Sequence, residues 1–199
     1  MDLCPACLLS TALATDGRSC PYHIVAPIAE SRSGTTYLAQ SAPRGRGIVA
    51  LKILAARDAA DEMLARYERW KPAIARVTSA NVASVTDAGL TDEGLVYLAS
   101  PFVPGWPLET IDEHKSIGPD ARADIARQIA AAISAIHDAG LAHLAVDASH
   151  VRVSVTNGVH ATLLGLGVRV VVDGDHPSAD VDRIALAKLH YRLGVTFKP

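Results

Sequence analysis

The chain has 199 residues, 49% of them hydrophobic and 20% charged, with a formal net charge of −2 and a pI near 6.4. That suffices for one domain or a two-lobed unit with a real core, and the near-neutral balance gives no global basic footprint for nucleic acid or an anionic membrane. No apolar run reaches the ~18 residues of a bilayer span, and Asp2 stands where an export signal would carry a basic residue, so a cytoplasmic chain without a membrane partner is expected.

All three cysteines lie near the N-terminus, as Cys4-Pro-Ala-Cys7 and then Cys20-Pro-Tyr-His23, which gives C-x2-C-x12-C-x2-H. Zn2+ takes four soft or borderline ligands in a tetrahedron, and each two-residue spacer lets a tight turn aim two side chains at one point. Pro5 and Pro21 repeat the same place in each half. Residues 1–21 are therefore read as a Cys-rich element that, with His23, forms a zinc site. The alternative is that Cys4 and Cys7 pack as small hydrophobes beside Leu8, Leu9 and Leu13, while Tyr22 and His23 open the next strand. No thioredoxin-like strand precedes Cys4, which argues against a redox pair.

From Tyr22 the periodicity becomes regular. Tyr22–Ile28, Thr35–Gln40 and Ile48–Leu54 read as strands, the first two joined by the polar turn Glu30-Ser31-Arg32-Ser33-Gly34. Ala59–Ala75 has helical spacing, with Pro72 expected to kink or end the helix. Val82–Asp87 and Leu95–Ala99 then complete a five-stranded antiparallel sheet with one inserted helix. Beyond a Pro-rich joint at Ser100–Pro107, a strong helix is predicted over Pro119–Asp138, opened by its proline and closed by Gly140. Val151–Val155 and Ala161–Leu164 form two short strands around an Asn157-Gly158 turn, and a last helix covers Asp180–Leu193.

Several of these stretches resemble motifs of the bacterial eukaryotic-type serine/threonine protein kinases. Ile28 to Ala39, through Gly34 and Tyr37, is similar to the glycine-rich loop and its following strand; Val49-Ala-Leu-Lys52 resembles the strand with the phosphate-binding lysine. Ser100-Pro101-Phe102-Val103 falls where the segment joining the lobes belongs. Ala135 to His143 resembles the end of the long helix before the catalytic loop, and Asp180-Val-Asp182 the helix beneath that loop, with Asp182 or else Asp180 as its buried aspartate. The resemblance implies an α+β, two-lobed, kinase-like fold: an N-lobe over 22–103 and a helical C-lobe over 104–199, shortened relative to the family and without the A-P-E motif.

The departures bear on function. Kinase catalysis is largely positioning and electrostatics: one carboxylate takes the substrate hydroxyl hydrogen, and an Asp and an Asn hold magnesium over the phosphates. Here the H-R-D motif reads His143-Leu144-Ala145, the Asn position is His150, and D-F-G reads Gly165-Leu166-Gly167. Imidazole is a poor ligand for a hard, oxygen-seeking cation. Ala29 and Ser31 replace two phosphate-loop glycines, and the helix position that should supply a glutamate to Lys52 is near Trp70, with Glu68 the nearest carboxylate.

The expected function is thus a catalytically inactive kinase-like domain that regulates or binds a protein partner, without nucleic acid. ATP is expected to bind weakly and without metal, at Lys52, Gly34 and the main chain of Pro101 and Val103. One alternative is a weak phosphotransferase using Asp147 as a displaced base; a second is a zinc element that binds protein or nucleic acid, with the remainder as its scaffold. His143 is expected to be a buried structural histidine, and His137, His160 and His176 are too scattered for a metal cluster.

Overall fold

The computed structural model describes residues 20–41, 47–114, 117–156, 158–174 and 178–195. In chain order the elements are β1 (Tyr22–Ser31), β2 (Gly34–Ser41), β3 (Ile48–Leu54), α1 (Ala60–Ala75), β4 (Val82–Ser84), β5 (Asp87–Leu90), β6 (Val96–Pro101), β7 (Trp106–Pro107), α2 (Pro119–Asp138), β8 (Val151–Ser154), β9 (His160–Leu166), α3 (Val168–Val172) and α4 (Ala179–Arg192). Single 3-10 turns occupy Leu108–Glu113 and Ala148–His150. The chain divides into two compact units: the first runs to Glu68 and takes up Val85–Phe102, and the second comprises Arg69–Ser84 and the chain from Val103.

The first unit is built on a five-stranded antiparallel sheet of order β1-β2-β3-β6-β5. Side chains alternate across a strand, so Tyr37 and Ala39, Leu51 and Ile53, and Tyr97 and Ala99 share one face and form its core. Tyr22 closes the edge of that core, its ring edge-on to Tyr97 at 5.5 Å and its hydroxyl donating to Asp87 at 2.9 Å.

The core of the second unit is the apolar stripe of α2. Ile125, Ile129, Ile133 and Ile136 recur every three or four residues and are almost wholly buried, each worth roughly 1.5–3 kcal/mol relative to exposure. Pro119 follows the cap residue Gly118, and Gly140 takes φ +76° just past the C-terminus, a conformation glycine adopts without penalty. Against this helix lies a four-stranded sheet of order β4-β9-β8-β7.

One expectation is corrected, and one of the two outcomes expected at Pro72 is removed. The predicted strand Val82–Asp87 is two strands: β4 pairs parallel to β9 in the second unit, while β5 joins β6 in the first. Asn81 causes the split, because its amide donates to Gln128 Oε1 at 2.9 Å and to the Ala161 carbonyl at 2.7 Å, drawing Val82 onto β9. Pro72 does not end α1, which continues to Ala75. The proline lacks a helical N–H, but burial of Met63 and Tyr67 before it and of Ile74 after it carries the helix through. The Asn157 turn, Cys4, Cys7 and His176 lie outside the described residues.

Candidate functional site

In the first unit, Lys52 stands on β3 opposite Thr36 of β2. Its ammonium donates to Ser31 Oγ at 2.8 Å and makes no ion pair among the described residues. Partial burial pulls the Lys52 pKa below that of a free lysine, since desolvation penalises the charged form. Gly34 closes the β1–β2 turn with φ +139°, and a Cβ there would stand 2.0 Å from the Ile53 carbonyl oxygen. The turn itself therefore demands this glycine, whatever binds nearby. Pro101 ends β6 opposite Val49; Val103 follows outside the strand.

In the second unit, the loop His143–His150 is held from beneath by Asp182, which is fully buried on α4. Its carboxylate accepts the amides of His143 at 2.7 Å and Leu144 at 2.8 Å, and His137 Nε2 at 3.0 Å. Of the two aspartates considered from sequence, Asp182 is the buried one, and Asp180 is exposed and pairs with Arg183 at 2.9 Å. His143 is 1% exposed. Its Nε2–H donates to the Leu164 carbonyl at 2.9 Å and its Nδ1 accepts the Ala145 amide at 3.3 Å, which defines a neutral ring. Burial, aided by His150, pushes its pKa down to about 4.

Ala145 presents a methyl group where the resemblance leads one to expect the catalytic carboxylate. Asp147, the displaced alternative, caps the following 3-10 turn: Oδ1 accepts the amides of Ser149 at 2.8 Å and His150 at 3.1 Å and the Ser149 hydroxyl at 2.5 Å. Oδ2 accepts His150 Nδ1–H at 3.0 Å. Partial burial would raise the Asp147 pKa, but the hydrogen bonds from His150 and Ser149 outweigh it and hold the carboxyl well below its ordinary range. Gly165 has φ +84°, and a Cβ there would lie 3.8 Å from Cδ2 of His150. The imidazole thus lies beside the position of the lost D-F-G aspartate. An imidazole next to a glycine offers no carboxylate oxygen, so His150 and Gly165 do not fit a magnesium ion.

At the other end of the first unit, Cys20 packs on the core with Tyr22, whereas His23 faces away and is exposed. The two are not brought together, and burial raises the Cys20 pKa, with Asp92, Asp87 and Glu93 adding to it. Among the described residues no group of three or more His, Cys, Asp or Glu side chains could hold a metal ion. Nor is any helix among them long and apolar enough to cross a membrane.

Two residues with structural weight carried no positional signal of their own. Gln128 on α2 accepts from Asn81 and from the Ala161 amide and donates to the Val159 carbonyl at 2.9 Å, joining helix to sheet. Ser31 registered only as a lost glycine, although a lysine two strands away makes it a ligand.

No family model matches the chain. Among curated proteins it is similar to the probable serine/threonine-protein kinase PknB of Lactococcus lactis, 26% identical over 147 residues, which is 73% of this chain and 23% of that protein. It is also similar to the serine/threonine-protein kinase pkn3 of Myxococcus xanthus, 30% identical over 124 residues, 61% of this chain and 22% of that protein. The chain thus spans about a fifth of the length of its curated relatives. Two crystal structures of the PknI kinase domain of Mycobacterium tuberculosis superpose with TM-scores of 0.68 and 0.66 at 24% and 26% identity, covering 94% and 92% of this chain and 83% and 75% of theirs. With the α+β architecture and the lysine strand and loop aspartate each in place within its unit, the chain has a protein-kinase-like fold and is similar to the bacterial serine/threonine protein kinases.

Proposed function

We propose that this kinase-like domain acts as a regulatory or protein-binding module and does not transfer phosphate. The observation that carries this reading is the state of Asp147. The catalytic position is Ala145, and the nearest substitute carboxylate already has both oxygens engaged by its own turn. A general base works best with a pKa near the operating pH, and the hydrogen bonds from His150 and Ser149 hold the Asp147 carboxyl well below its ordinary range, so the phosphotransferase alternative loses support. The absence of a carboxylate at Gly165 and of an amide oxygen at His150 argues the same way.

Nucleotide binding, in this reading, is weak and independent of magnesium. Lys52 supplies the charge for the phosphates, and main-chain groups at the end of β6, at Pro101, supply adenine contacts that do not depend on side-chain identity. The partner is a protein, and nucleotide selects the conformer that the partner recognises.

Thermal unfolding with millimolar ATP, with and without magnesium, tests the proposal. Ligand at a hundred times its dissociation constant adds about 2.7 kcal/mol to stability. A small shift that ignores magnesium is the expected result. A shift that requires magnesium, or phosphate transfer to a protein substrate that Lys52→Ala abolishes, would overturn it.

A further inference from the structure

Ser31 ends β1 and pairs with Gly34, while Lys52 reaches it from β3, two strands away. Three hydrogen bonds meet at its hydroxyl. Ser31 Oγ donates to the Gly34 carbonyl at 2.9 Å and accepts from Lys52 Nζ at 2.8 Å. Ser33 Oγ lies 3.2 Å away, and since the Ser31 hydrogen is already committed, Ser33 donates. One donated and two accepted bonds exhaust a hydroxyl, so its lone pair is aimed at the ammonium and not at solvent.

The lysine's side of the contact is as telling. A half-buried ammonium needs an acceptor, because an unpaired buried charge is costly. Lys52 makes no ion pair among the described residues. The turn's own serine takes the place of an anion.

We infer that Ser31 is an internal ligand of Lys52, a latch that any phosphate must displace before it can reach the ammonium. The competition with phosphate rests on the nucleotide reading above; the latch does not. It makes Ser31 the residue that sets how strongly this site takes an anion, a role opposite to that of a glycine, which would leave the ammonium open.

The experiment compares the wild-type chain with Ser31→Ala and Ser31→Thr, after circular dichroism confirms that each is folded. Trace acetylation with acetic anhydride at pH 8, followed by mass spectrometry, gives the reactivity of Lys52 relative to Lys71 and Lys188. Loss of the acceptor destabilises the ammonium and frees the amine, so Ser31→Ala is expected to raise relative Lys52 labelling about threefold or more, with Ser31→Thr near wild type. Unchanged labelling in Ser31→Ala overturns the latch. In parallel, titration with ADP without magnesium is expected to show up to about tenfold tighter binding to Ser31→Ala, the equivalent of one charge-assisted hydrogen bond. Faster labelling with no ADP binding to either protein supports the latch and removes nucleotide from the proposed function. Faster labelling with equal ADP affinity overturns the competition.

Discussion

Asp182 Oδ1 accepts the amide of Leu144 at 2.8 Å, and Leu144 is the non-glycine residue with a positive φ among the described residues, at 64°. A left-handed leucine costs roughly 1–2 kcal/mol, and such strain persists only where its surroundings over-determine it. Here the buried carboxylate fixes two successive amides, so the loop keeps its shape although Ala145 gives it nothing to position.

That relationship makes Asp182 a stability residue. Asp182→Ala leaves two loop amides and His137 Nε2 without their acceptor, at a cost of about 3 kcal/mol. Urea unfolding measures it. A loss under 0.5 kcal/mol would mean that water takes over the acceptor role.

His143 makes stability depend on pH in the acid range. Its folded pKa of about 4 lies below the ordinary 6.5, so between these values the unfolded chain binds the extra proton. The contribution is fully present above pH 6.5 and is lost as pH falls toward 4, about 1.4 kcal/mol per unit and on the order of 3 kcal/mol in all. Denaturant midpoints from pH 4 to 7 should show this slope in the wild type and a flatter one in His143→Gln. Equal slopes in the two proteins would assign the dependence to another group.

Gly34 separates a structural glycine from one kept for a ligand. Gly34→Ala drives a Cβ to 2.0 Å from the Ile53 carbonyl at a φ of +139°, so a loss of roughly 2 kcal/mol or more is expected with no ligand present. Thermal unfolding of the ligand-free variant decides this. An unaltered midpoint would return Gly34 to a purely ligand-related role.

Gly165→Asp restores the family's residue in name. At φ +84° an aspartate is strained, so the variant should lose about 1 kcal/mol and gain no magnesium binding, because His150 still occupies the neighbouring position. Isothermal titration with magnesium and ATP checks the second half; a clear magnesium-dependent affinity would show that the site is one residue from repair.

Local rules carried much of the architecture. The helix Pro119–Asp138 and the strand Ile48–Leu54 were legible to the residue, one from a proline start, a glycine stop and a three-to-four spacing, the other from a compact β-branched run. Strand Val82–Asp87 was misread because a short run with strand-forming residues in both halves does not say which sheet each half will join. The side chain of Asn81, bonding residues 47 and 80 positions away, made that choice. Of the two outcomes expected at Pro72, a kink or an end, the end does not occur, as burial on both sides of it outweighs one missing hydrogen bond.

The candidate site divides in the same way. Sequence by itself supplied the expectation of losses at Ala145, His150 and Gly165, since the residue type at a position that resembles a motif is read without coordinates. It also narrowed the buried aspartate to two residues. Tertiary structure alone decided that Asp147 is consumed as a cap, that Cys20 and His23 face apart, and that Ser31 holds Lys52. Each of these depends on the direction of a side chain or on register between strands, and hydrogen bonds form between groups that meet in space, wherever they stand along the chain.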